Sequence, residues 1–253
     1  MTRMISIVMS YFNRLTQFDF TLQTISKSIY KNFEIICVDD HSNPEHDPMI
    51  LLDRYPQLNL KIIKMSDVLS HRWYSNPCVP YNEAFRHCQG DTVIIQNPEC
   101  CHIGDVIAHC AQHISEDRYL SYHCWSATKD QLHDLRNFRS ISYEPKPKAM
   151  WYNHEIYRPE SFHFCTAILR TNLVKLNGFD ERFAHGLGYD DNEFVQRVKN
   201  LGLKITYVSD PHVVHQPHPK FLTLNKSTVD NRSLFAELQG QNIISAPNKN
   251  ILQ

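Results

Sequence analysis

The chain predicts an α/β fold, a mixed and mainly parallel sheet flanked by helices, on three observations. Short runs of apolar and β-branched residues recur at 4–9, 33–38 and 92–95, the pattern of strands buried on both faces. Segments with helical apolar spacing lie between them, a βαβαβ alternation that implies right-handed parallel crossovers. Each strand run then ends in small or acidic side chains: Ser10, Asp39 with Asp40, and Asn97 with Glu99. Parallel strands bring their carboxyl ends to one edge, where open α/β sheets bind ligands.

Taken in order, the first run turns at Ser-Tyr-Phe-Asn-Arg (10–14). Leu15, Phe18, Leu22, Ile25 and Ile29 follow at steps of three and four, an amphipathic helix. After the strand at 33–38 come a helix near 47–55 and a strand at 60–64. Residues 72–85 hold Asn76-Pro77 and Pro80, then a short helix carrying Asn82. The strand at 92–95 follows a Gly-Asp turn and stops at Pro98, which has no amide proton to give a ladder. A helix is expected at 103–114 and an alternating strand at 119–127. The Glu-Pro-Lys-Pro-Lys run at 144–148 reads as a linker or surface loop before a second half that opens with Trp-Tyr-Asn-His. That half predicts a strand at 162–169 and a helix at 171–176. From Asp190, the spacing of Phe194, Val195, Val198 and Leu201 is helical and ends at Gly202. Strands are expected at 203–208 and 213–215, and the polar tail after Asn242 reads as frayed.

Composition narrows the function. A chain of 253 residues has room for a sizeable α/β core. Its 26 basic and 27 acidic residues leave no electrostatic footprint for nucleic acid. Eight cysteines occur without a Cys-x-x-Cys pair, and Cys37, Cys124 and Cys165 sit inside apolar runs, as reduced buried thiols do. Neither a signal peptide nor an apolar run near ~18 residues is present, so the expectation is a soluble cytoplasmic protein, or one peripheral to a membrane. The seven glycines form neither Gly-x-Gly-x-x-Gly nor a P-loop. A bound nucleotide would then be held by carboxylates and a metal rather than a glycine cradle.

The motifs come in a telling order: strand–Ser-Tyr-Phe-Asn-Arg, strand–Val-Asp-Asp-His-Ser, Gly-Asp–strand–Asn-Pro-Glu, Gly-Phe-Asp-Glu, Gly-Tyr-Asp-Asp-Asn-Glu-Phe, Val-Val-His. This series resembles the GT-A glycosyltransferases of family two, over roughly residues 5–218. The segment 178–202 also looks like the carboxyl-terminal part of β-1,4-galactosyltransferases. The resemblance implies one GT-A domain, Rossmann-like, with a nucleotide-sugar half at 1–115, an acceptor half at 116–220 and a helical tail at 221–253. It implies inverting, metal-assisted transfer of a hexosyl or N-acetylhexosaminyl group from a UDP-sugar to a glycan, lipid-linked or protein acceptor. A homodimer is compatible with it. By the same resemblance, Asp40 with Asp39 beside it holds uracil and ribose. Ser10, Tyr11, Asn13, Arg14, Asn76 and Asn82 line the donor pocket. Asn97-Pro98-Glu99 stands where the family has Asp-x-Asp, placing Asn97 on the donor and Glu99 on a divalent cation, Mn²⁺ or Mg²⁺. His215 is a further metal ligand. Asp191 takes the place of the general base, with Asp190 orienting the acceptor beside Gly188 and Tyr189. Trp151, Tyr152 and Trp73 are candidates for stacking on the acceptor, since sugars present apolar faces to aromatic rings, with core packing the plainer role for each.

Asn97 removes one formal charge from the metal motif. A catalytically silent nucleotide-sugar- or glycan-binding module on the same fold is therefore the alternative. A nucleotidyltransferase would need a basic, glycine-rich loop after the first strand, and residues 10–14 are not one. Local chemistry offers plainer roles as well: Asp39 and Asp40 as turn caps, and Asp190, Asp191 and Glu193 as favourable charges on a helix's first turn. His212, His215 and His218 recur every third residue, yet Pro211, Pro217, Pro219 and Val213-Val214 oppose a helix, which leaves His215 first and His218 second as ligands.

Overall fold

A computed structural model describes residues 3–136, 150–219, 230–249 and 251. Among these residues nine strands form one sheet: β1 (Ile5–Tyr11), β2 (Phe33–Asp39), β3 (Leu60–Lys64), β4 (Thr92–Gln96), β5 (Cys100–Ile103), β6 (Arg118–Ser126), β7 (Trp151–Asn153), β8 (Cys165–Leu169) and β9 (Lys204–His215). The order is β3-β2-β1-β4-β8-β6-β9-β5, with β7 on β6. The β3-β2-β1-β4 half is wholly parallel, as the βαβαβ pattern requires. The second half mixes directions around a parallel β6–β9 ladder.

Helices cover both faces. On one, α1 (Leu15–Ile25) and α5 (Val106–His113) bury Phe18, Leu22, Ile25, Val106 and Ile107. On the other, α4 (Cys78–Arg86), α7 (Arg170–Leu176) and α8 (Asp190–Asn200) bury Phe85, Leu173, Leu176, Phe194 and Val198. Full burial of each such side chain contributes about 1.5–3 kcal/mol. Shorter helices α2 (Ile50–Arg54), α3 (Met65–Val68), α6 (Lys129–Arg136) and α9 (Asn231–Leu238) lie between and after these. All eight cysteines are free and buried, as their apolar settings imply.

The Gly-Asp turn before β4 is held by close approach. A Cβ on Gly90 would stand 2.6 Å from the Ser6 amide nitrogen, so only glycine fits. Ser6 Oγ accepts from the Gly90 amide at 2.9 Å and donates to Glu34 Oε1 at 2.6 Å, pinning β1, β2 and the turn together.

Four expectations need correction. The first helix stops at Ile25, and Ile29 is 82% exposed, because Ser26 and the turn after it already bond back to α1 carbonyls. The helix expected at 103–114 starts later, at Val106: Ile103 ends strand β5, Gly104 turns the chain at φ +78°, and Asp105 Oδ1 caps α5 through the Ala108 amide. The two strands expected at 203–208 and 213–215 are one, β9, with a register shift against β6 that absorbs Pro211. The tail is not frayed at 243–249: Ala246 is buried, and Asn248 donates to the carbonyls of Asn177 and Phe179. Its polar side chains satisfy turn backbone instead of water. The loop read at 144–148 lies outside the described residues.

Candidate active site

The carboxyl ends of β1, β2 and β4 open onto one cleft of about 260 Å³, lined by Ser10, Phe12, Arg14, Asp40, Arg72, Ser75, Pro77, Tyr81, Asn97, Pro98, Glu99 and His163. Asp40 anchors one end. Its buried carboxylate accepts from Tyr74 Oη at 2.6 Å and pairs with Arg72 at 2.8 Å, and the Arg72 guanidinium lies 5.7 Å from the Phe12 ring centroid. The segment bearing Arg72 and Ser75 is held to the second half by the amides of Ser75 and Asn76, which both donate to the Ala184 carbonyl. Further along, Tyr81 Oη donates to Asn97 Oδ1 at 2.8 Å and fixes the amide at the tip of β4.

Glu99 sits beyond that tip with two imidazoles. His215 Nε2 lies 3.3 Å and His218 Nε2 3.6 Å from Glu99 Oε1. Strand pairing explains the meeting, since Cys100 of β5 stands opposite His215 of β9. Gln216, bonded through its side chain to the Gln17 carbonyl and Thr21 Oγ1 of α1, carries the chain on to His218. Burial opposes the charge on Glu99, but its bonds to the two histidines outweigh burial and hold the carboxyl well below its usual range. The ligand atoms of all three residues lie within 4.8 Å of one another, and among the described residues His215 Nδ1 is buried without a hydrogen-bond partner. One carboxylate and two imidazoles are a donor set that could hold a divalent cation.

The first turn of α8 supplies a second group. Asp190 is 2% exposed; one oxygen accepts from Asn76 Nδ2 at 2.9 Å and the other has no hydrogen-bond partner among the described residues. Burial, then the neighbouring Asp191 charge, pushes its carboxyl up to about 6. Asp191 is more open and contacts His163 Nδ1 through Oδ1, which also accepts from the His163 amide at 3.4 Å. Burial disfavours a charged His163, but Asp191, with Asp190 and Glu99 behind it, reverses the balance and raises the imidazole above its usual value.

A strand-tip cleft with this chemistry finds its match in sequence. The family model described as glycosyl transferase family 2 covers residues 6–173, two thirds of the chain. The chain belongs to glycosyl transferase family 2. A second model, described as the N-terminal domain of galactosyltransferase, covers residues 155–219, the segment bearing His163, Asp191 and His215. Comparison with curated proteins gives no match. Among solved structures, the first 349 residues of TarS from S. aureus align with a TM-score of 0.62 at 16% identity, over 84% of this chain and 60% of that one. The same protein in complex with UDP-GlcNAc aligns at 0.62 and 15% identity, over 86% and 59%. The mannosyltransferase PcManGT from Pyrobaculum calidifontis, in complex with GDP-Man and Mn²⁺, aligns at 0.57 and 17%, over 85% and 57%. The chain thus spans about 60% of the length of these structures, and the likeness shows a GT-A fold.

Within this family 2 member, the sequence-derived candidates divide. Ser10, Arg14, Asp40, Asn97 and Glu99 line the cleft; His215 joins it through Glu99 and Asp191 through His163. Other donor candidates do not reach it. Tyr11 is wholly buried and donates to the His46 carbonyl. Asn13, at φ +50°, accepts from the Asn43 amide. Asp39 accepts from the Ser42 amide and lines a separate cleft with Lys64 and Asp47. Asn76 braces Asp190, and Asn82 is a buried staple that bonds both the amide and the carbonyl of Phe179. On the acceptor side, Trp151 is 1% exposed and packs on His123 and His154. The Tyr152 ring lies 4.6 Å from that of His215, beside the Glu99 group. Gly188 and Tyr189 both take positive φ just before α8, and Tyr189 packs on Phe235. Gly186 meets the Asn231 side chain rather than open space, whereas a Cβ at Gly188 would meet nothing. Trp73 is 38% exposed against His185, between cleft residues Arg72 and Ser75. Sequence reasoning missed Phe12, Arg72, Tyr81 and His163. Only Phe12 carried a signal, as a neighbour of Ser10 at a strand end; the others reach the cleft through contacts distant in sequence.

Proposed function

We propose that the chain is an inverting glycosyltransferase that moves a sugar from a UDP-sugar to an acceptor hydroxyl, with Asp191 as general base. The observation that carries this reading is the meeting of a strand-tip cleft, a carboxylate–imidazole group fit for a cation and a partly exposed carboxylate at one sheet edge. Asp40 and Arg72 set a hydrogen-bond acceptor beside a donor, the pattern that the imide edge of uracil matches, with the Phe12 ring nearby to stack on the base. Asn97 and Arg14 line the same cleft and would face the diphosphate.

Glu99, His215 and His218 would hold a divalent cation, which supplies charge neutralisation to the leaving diphosphate. Asp191 takes the proton of the acceptor hydroxyl as the hydroxyl oxygen bonds to the anomeric carbon. The bond from that carbon to the diphosphate oxygen breaks on the opposite face, so configuration inverts and the nucleoside diphosphate leaves. General-base help of about 10²–10⁴-fold corresponds to roughly 3–5 kcal/mol of barrier. Solved neighbours of like fold carry UDP-GlcNAc in one case and GDP-Man with Mn²⁺ in another, which supports a nucleotide-sugar donor. Mn²⁺ and a cytoplasmic setting are part of this proposal, and among the described residues no helix is long and apolar enough to cross a membrane.

Thermal unfolding with UDP-, GDP- and dTDP-sugars, each with and without Mn²⁺, tests the reading. UDP-sugars with Mn²⁺ are expected to raise Tm most and to release UDP on incubation with acceptor. No shift and no release with any donor would sink it.

A further inference from the structure

His163 lies in the turn entering β8, two residues before Cys165, and its ring forms part of the wall between the donor cleft and the first turn of α8. It is caged: Tyr81 meets it edge-on at 4.8 Å between centroids, Phe179 edge-on at 5.6 Å, and Phe164 stacks at 6.2 Å. A ring so packed has one orientation. In that orientation Nδ1 meets Asp191 Oδ1, and the His163 backbone amide points to the same oxygen.

We propose that His163 is the positioning residue of this site: it holds Oδ1 of Asp191 so that Oδ2 alone is presented to the acceptor hydroxyl. The inference rests on the transferase reading above. A half-buried carboxylate on the first turn of a helix still has several rotamers open to it, and a reacting group displaced by ~1 Å can lose on the order of 10²-fold in rate. Among the described residues no group bonds Oδ2, and the Asp191 side chain keeps 19% of its surface. The second carboxylate cannot substitute, because Asp190 is turned inward onto Asn76. The charged and titratable groups around the imidazole are Asp191, Asp190, Glu99 and the Tyr81 phenol. The acidic majority among them keeps the proton on the ring, so Nδ1 stays a donor.

Steady-state transfer by wild type, H163A, H163N, H163Q, D191N and H163A/D191N tests this. H163A is expected to lower kcat by about 10–100-fold with donor KM within twofold. H163N, which returns an N–H near the Nδ1 position, is expected to recover most of the loss, whereas H163Q, whose amide falls near Nε2, is not. Adding H163A to D191N is expected to cost nothing further, since the histidine acts through that carboxylate. An unchanged kcat in H163A, a loss confined to donor KM, or an equal further loss in the D191N background would overturn the proposal. If H163A does not fold, the order of H163N and H163Q decides: equal activities overturn it. Transfer by wild type with an indifferent His163 sinks the positioning role alone; no transfer by wild type from any donor sinks the enzyme reading and this role with it.

Discussion

Two carboxylate–imidazole groups flank the same cleft, and they are charged in opposite proportion. Around Glu99, one carboxylate faces two histidines; around His163, one histidine faces two aspartates. The consequence is visible in the carboxyls themselves. Glu99 is held well below its usual range despite burial, while Asp190, also buried, is pushed up to about 6. A carboxylate of low proton affinity between two imidazoles suits a metal ion. An excess of carboxylate suits a proton. On the transferase reading proposed above, the same residue types, counted differently, would divide leaving-group and nucleophile activation between two groups beside one cleft.

Three experiments would break or sharpen that contrast. The largest effect is expected at Asp191: D191N should lower kcat by about 10²–10⁴-fold with donor affinity within twofold. A loss of donor affinity instead would place Asp191 on the metal side. Next, E99A should raise the Mn²⁺ concentration for half-maximal transfer by at least about 10–100-fold, with smaller rises for H218A. An unchanged Mn²⁺ titration would mean that the two groups do not differ in the way argued.

The smallest effect concerns stability. The folded state binds the Asp190 proton more tightly than the unfolded chain, whose carboxyl is near 3.8. Its contribution is therefore fully present below about pH 4 and is lost as pH rises through about 6. D190N has no such titration. Urea unfolding should find wild type losing on the order of 2 kcal/mol relative to D190N between pH 4 and 7. A gap independent of pH would show that Asp190 is not strained by its neighbours.

Much of the parallel half was legible because its signals are local. The runs at 33–38, 60–64 and 92–95 each carry their own burial pattern, and β2, β3 and β4 begin where those runs begin. The start of α8 at Asp190 followed from apolar spacing alone. Failures came where a residue's fate depends on a distant partner. Strand β5 is four residues whose identity comes from pairing with β9, over 100 positions later. Asn82 and Asp39 are polar residues at plausible sites, yet each is consumed by backbone bonds that no spacing foretells.

By itself, the sequence determined the βαβαβ start, the small and acidic strand ends, and the motif order of a family 2 glycosyltransferase. These depend on periodicity and composition within about ten residues, which local chemistry can decide. Only the tertiary structure decided which acids face the cleft, that His218 joins Glu99, and that His163 grips Asp191. Those outcomes rest on strand register and aromatic packing between segments far apart in the chain, and a one-residue slip would turn every side chain of a strand to its other face.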